Sequence, residues 1–200
     1  MGDSRLESHG GYLCRFEDVD VAWLAQVARF ALEEDGQSPV DVALQVTVLG
    51  GPGLVRFAWD APFTYGRGGA RWYLSHHGLA RRLSEHLKTA LHVYVFDPDE
   101  LEQVMAYGNG RRVGGETLRY VDVELPDEDD DEAAFERLKD KWPLGHLARV
   151  LGVAREELIR LPRQPTALIE LGREYSPQPL WKLFPESLLR GRPATLARAG

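Results

Sequence analysis

Six residues, Leu91 to Phe96 (LHVYVF), constrain this chain more than any other stretch. The run is apolar apart from His92 and mixes β-branched with aromatic side chains, which suits a strand covered on both faces. His92 reads as a core histidine hydrogen-bonded to the backbone, with a ligand or proton-transfer group as the alternative. Two turn signals follow. In Asp97-Pro98-Asp99-Glu100, a cap, a Pro at the first helical position and an acid three residues after the cap make a helix start. Against it, LEQVMAY is short and runs into Gly108-Asn109-Gly110, where Asn-Gly supplies the two positive-φ positions of a tight hairpin turn. Helix and strand both stay open for 97–107. The hairpin is the reading adopted, with strands near 91–96, 101–107 and 111–124.

Upstream, YLCRF is a first strand near 11–16, and its Cys14 a small buried thiol. A helix near 18–34 follows, capped by Asp18 or Asp20 and ended by Gly36. Its Val21, Leu24, Val27, Ala28 and Ala31 fall at helical spacing, and Trp23 and Phe30 widen that face. Val42, Leu44, Val46 and Val48 then alternate with more polar neighbours, giving a strand near 41–49. GGPG turns the chain into LVRFAW, a strand near 53–59; it lacks the Lys-Ser/Thr of a phosphate-binding loop. LSHHGLARRLSEHLKT forms a helix near 78–88. His76, His77 and His86 match no zinc spacing and read as surface residues.

Residues 126–131 form an acidic linker without the glycine of a calcium loop, and helices occupy 132–160. Within PLGHLARVLGVAREELIRLP, Gly152 marks a turn between two short helices, as in the first half of a helix-turn-helix. A DNA-reading helix would need donors at its exposed start, and here Arg155 is followed by Glu156 and Glu157. A helical hairpin packed on the sheet is preferred. The Pro-rich tail carries Leu180, Trp181, Leu183, Phe184, Leu188 and Leu189 as apolar anchors in an irregular path. The sum is an α+β fold, a mostly antiparallel sheet with flanking helices. Its α+β core spans 1–125, the linker 126–131, and a helical hairpin with an irregular tail 132–200.

Charge narrows the function classes. Met1 to Glu136 carries 25 acids and 12 bases, whereas Arg137 to Gly200 carries 6 acids and 12 bases. A net charge of −7 opposes sequence-independent attachment to nucleic acid, and the acidic part suits a basic protein partner. No run approaches the ~18 apolar residues of a membrane span, and the N-terminus lacks a hydrophobic signal region. One cysteine allows no intramolecular disulfide. The expectation is a cytoplasmic protein without metal or cofactor.

The order of a Leu-rich amphipathic helix (LARRLSEHL), a strand, a D-x-D turn, a strand ending in an aromatic and a Gly-Asn-Gly turn resembles small bacterial α+β proteins. Some of these are similar to immunity proteins of polymorphic-toxin loci. The resemblance covers residues 74–160, and GGETLRY departs from it where a polar-aromatic segment is expected. It implies a non-enzymatic protein that neutralises a toxin by protein–protein contact. A DNA-associated regulator using 143–163 and an enzyme built on aromatics with Asp97 and Asp99 are the other two classes. The expected partner surface combines Tyr65, Arg67, Arg71, Trp72 and Tyr73 of an aromatic loop with the acidic turn at Asp97 and Asp99.

Overall fold

The computed structural model describes residues 6–15, 17, 19–50, 53–60, 70–123, 132–161 and 164–189. Its first strand, β1 (His9–Arg15), is buried on both sides except at Arg15, and leads into helix α1 (Val21–Glu34). Strands β2 (Ala43–Val48) and β3 (Leu54–Asp60) form a hairpin, followed by two helices, α2 (Arg71–Ser75) and α3 (Gly78–Leu87). Next come β4 (Leu91–Asp97), β5 (Leu101–Gly108) and β6 (Arg111–Arg119), then a 3₁₀ turn at Tyr120–Asp122. Helices α4 (Glu132–Lys139), α5 (Pro143–Leu151) and α6 (Arg155–Ile159) precede a last strand, β7 (Ala167–Glu170). The seven strands run antiparallel in the order β6-β5-β4-β1-β3-β2-β7.

The hairpin reading of 97–107 holds. Asn109 (φ 49°) and Gly110 (φ 74°) both take the left-handed conformation that a two-residue primed turn needs, and β5 pairs with β6 from Gly108↔Arg111. The Gly110 N–H donates to Ser84 Oγ at 3.0 Å, which pins the hairpin tip to α3. Asp20 caps α1, accepting the Trp23 N–H at 2.9 Å, and Gly36 (φ 69°) follows its end. Phe30 does not widen the buried face as expected. It is 46% exposed, with the Arg82 guanidinium 5.7 Å from its ring centre.

Strand alternation sorts the core into two layers. On one face, Tyr12, Cys14, Phe57, Val93 and Met105 belong to a cluster shared with α1, α3 and the tail residues Leu180 and Phe184. On the other, Leu13, Tyr94, Phe96 and Val104 meet Leu144, Leu147, Leu151, Leu158 and Ile159 of α5 and α6. The helical hairpin expected around Gly152 therefore covers the second face, and Gly152 closes α5 with φ 71°.

The tail is more ordered than its composition implied. Residues 167–170 add an edge strand to β2, with Thr166 N–H bonding Val46 O at 2.7 Å and Leu171 N–H bonding Val42 O at 2.8 Å. Four residues are too few to show a strand period, so this strand escapes sequence reading. Further on, Leu180 N–H donates to Val19 O and Val21 N–H to Gln178 O. The linker at 126–131 lies outside the described residues. No helix among the described residues is long and apolar enough to cross a membrane.

Candidate functional site

Of the surface expected from sequence, Tyr65 and Arg67 lie outside the described residues. Arg71, Trp72 and Tyr73 stand on the short helix α2 and not on a loop. Tyr73 does not offer a surface: it is buried, its hydroxyl accepts the Trp59 N–H at 3.0 Å, and Gly10 leaves room for its ring. A Cβ at Gly10 would come within 2.6 Å of Tyr73 Cδ2. Trp72 is half-buried, its indole N–H donating to Asp35 at 3.0 Å. Arg71 does reach the acidic turn, where its guanidinium meets both Glu100 oxygens at 2.5 and 2.6 Å. The turn and the helix thus share one edge, as expected. Asp97 holds the turn itself, taking Ser8 Oγ–H at 2.9 Å and the N–H groups of Asp99 and Glu100 at 3.0 and 3.2 Å. Asp99 is exposed. The Ser8 contact and a bond from Tyr120 N–H to Glu100 O bring the exposed Glu7 and Asp122 to the same end of the sheet.

The histidines read as surface residues divide. His76 is buried in the first core layer: the Tyr12 hydroxyl lies 3.0 Å from Nδ1 and Ala31 O lies 3.1 Å from Nε2. A carbonyl only accepts, so Nε2 carries the proton and Tyr12 donates to Nδ1. Trp59 Nε1–H in turn donates to Tyr12 at 3.2 Å, and the Trp72 ring stacks on the imidazole at 3.9 Å. Burial pulls the His76 pKa below its ordinary value and pushes the Tyr12 phenol well up. Both stay neutral, as a satisfied structural network requires. His77 is half-buried, and His86 is exposed and stacks on Trp23. His92 departs from expectation differently. It is half-buried, its Nδ1 has no hydrogen-bond partner, and it lines a small cleft with His146 and Glu116. Among the described residues no group of His, Cys, Asp or Glu is arranged to hold a metal ion.

The second layer holds a charged centre that sequence reading missed. Glu102 shares a face of β5 with Val104 and is fully buried beneath α5 and α6. One carboxylate oxygen pairs with Arg155 Nη2 and takes the Tyr120 O–H at 3.3 Å; the other takes the Leu144 N–H at 3.1 Å. Leu144 opens α5 just after Pro143, so Glu102 satisfies an end that lacks a side-chain cap of its own. Arg155, the position a DNA-reading helix would use, is spent inside the protein. Burial, and then the Glu102 charge, push the Tyr120 phenol well above its ordinary pKa and keep it a donor.

Beside this centre opens a cavity of about 320 Å³, walled by Phe96, Pro98, Phe135, Trp142 and Ile159. Its polar lining is Tyr120, Lys139 and Arg155. Pro98 belongs to the acidic turn, so cavity and exposed rim adjoin. The signal available in sequence was a glutamate in phase with Val104 ahead of a Pro-started helix. Comparison with family profiles, with curated proteins and with solved structures finds no match for the chain.

Proposed function

We propose that this chain is a non-enzymatic binding protein that docks a basic protein partner on the rim where β1 begins and β4 turns into β5. The observation that carries this reading is the Arg71–Glu100 bridge, which draws α2 and the acidic turn into one surface bearing Glu7, Asp99 and Asp122. Trp72 stands next to it, half-buried, as an aromatic anchor of the type that dominates interface energetics. Exposed acids around such an anchor steer a cationic partner and set its orientation. The resemblance over residues 74–160 makes a toxin-neutralising immunity protein the concrete form of the reading. The docking reading is preferred to the helix-turn-helix one, whose first exposed donor, Arg155, pairs with Glu102.

The test is titration against the purified larger protein encoded beside this chain's own gene. Wild type is expected to bind and neutralise it, and the double charge reversal Asp99→Lys, Glu100→Lys to weaken binding by about 1–3 kcal/mol. The Arg71–Glu100 pair is 63% and 50% exposed, so its loss shifts the melt by less than about 1 kcal/mol. Equal affinity of variant and wild type, or no binding at all, overturns the proposal.

A further inference from the structure

We propose that the cavity beside Glu102 is a binding site for a small aromatic carboxylate. Its volume of about 320 Å³ falls at the lower end of small-molecule sites, which span roughly 300–1,000 Å³. Aromatic rings from three elements wall it: Phe96 on β4, Phe135 on α4 and Trp142 at the start of α5. Among the described lining residues two are cations able to donate toward an anion, the Lys139 ammonium and the Arg155 guanidinium, while the Tyr120 hydroxyl gives its proton to Glu102. Among the described residues none lining the cavity is acidic.

A second observation points to a ligand. The Arg155 side chain is nine-tenths buried, yet Glu102 engages only Nη2, and the buried Nε has no hydrogen-bond partner. An orphaned guanidinium N–H in a buried site is costly, and a planar carboxylate is the group whose geometry a guanidinium matches. Glu102 faces Arg155 from behind the cavity wall and holds it in place, so the ligand meets a positioned cation. Lys139 stands at the mouth, its Nζ 4.3 Å from the centre of the Phe135 ring and 2.6 Å from the exposed Glu136. Flat apolar walls and two cationic side chains together select a ring bearing one negative group. A neutral ring would give the Lys139 and Arg155 cations no ligand charge to meet; a bare anion would leave the walls wet.

The experiment is an amide- and indole-proton NMR titration of the full chain with phenylacetate and indoleacetate, with phenylacetamide as the uncharged control. Saturable shifts are expected at the Trp142 indole N–H and at the Phe96 and Phe135 amides. The amide control should bind about tenfold more weakly. Lys139→Met should lower phenylacetate affinity by about tenfold in a variant that stays folded, since Met keeps the apolar stem and only the ammonium is lost. No saturable shift with either carboxylate at millimolar concentration overturns the assignment. Equal binding of the amide, or an unaltered affinity in the Lys139 variant, overturns its anion selectivity. Because the probes are small and the rim variants lie outside the cavity, failure here leaves the partner-docking reading to its own test.

Discussion

The two sides of the sheet differ in the charge they bury rather than in how fully they are paired, since His77 Nδ1, Arg82 Nε and Trp181 Nε1 also lack partners on the α1/α3 side. On the α1/α3 side, Trp59, Tyr12, His76 and Ala31 form a chain in which each donor meets one acceptor and no member is charged. On the α5/α6 side, charge is buried. Arg56 is buried with its Nη1–H on the Tyr94 hydroxyl at 3.0 Å and its Nε without a partner. Arg155 also keeps an unpartnered Nε, and His92 an unpartnered Nδ1. His9 lies between two carbonyls, Glu7 O at 2.8 Å and Leu158 O at 2.9 Å, although a neutral ring has one N–H to give. Burial, with a smaller push from Arg56, holds its pKa below the ordinary value in spite of both carbonyls. A neutral hydrogen-bonded chain adds little electrostatic cost to a core, whereas buried charge holds only while each ion keeps its partner.

The comparison breaks most sharply at Arg155. Arg155→Met leaves the Glu102 carboxylate buried without its cation and is expected to cost about 3–5 kcal/mol in denaturant unfolding. Adding Glu102→Gln should recover part of that loss, and a single variant as stable as wild type would show the pair to be dispensable. A smaller effect belongs to His76→Phe on the first face. It keeps the stack on Trp72 but strands the Ala31 carbonyl, a loss of about 1–3 kcal/mol by the same assay.

Acid sharpens the contrast at the lowest energy. His76 is held neutral in the fold by burial, so below about pH 6.5 the unfolded chain binds more protons than the native one. Its contribution is complete above that pH and is lost as pH falls toward the depressed native value. His9, His77 and His92 are shifted the same way. Stability should therefore fall from pH 7 to pH 5, and His76→Phe should flatten that slope by up to about 1.4 kcal/mol per pH unit. An unchanged slope would remove His76 from the account.

How much of this was legible follows from where each signal sits. Periodicity and turn chemistry are local, and they place β2, β3, α1 and the Asn109-Gly110 hairpin correctly. Tertiary cover is not local. Glu102 looks like the wet side of an amphipathic strand until α5 and α6, some forty positions later, lie over it. Adjacent His76 and His77 are alike in sequence, and only the break between α2 and α3 turns one inward and leaves the other half-covered. The residues of the expected rim are placed by the same rule: Arg71 and the 97–100 turn do meet, but Tyr73 sits on the inner side of a helix that was read as loop.

The strand formed by residues 167–170 carries a consequence for the order of folding. β4, β5 and β6 are joined by short turns, so their pairing closes little chain and costs little loop entropy. β2 waits. Its outer neighbour arrives only with Thr166, whose hydroxyl takes the Val48 N–H across 118 positions of chain. Until then β2 is a bare edge on a growing polypeptide, and Val19 and Val21 lack the backbone partners that residues 178 and 180 bring. The final stretch of chain thus acts as a closing stitch, and the nascent protein is most open to pairing with its own copies in the interval before that stitch is made.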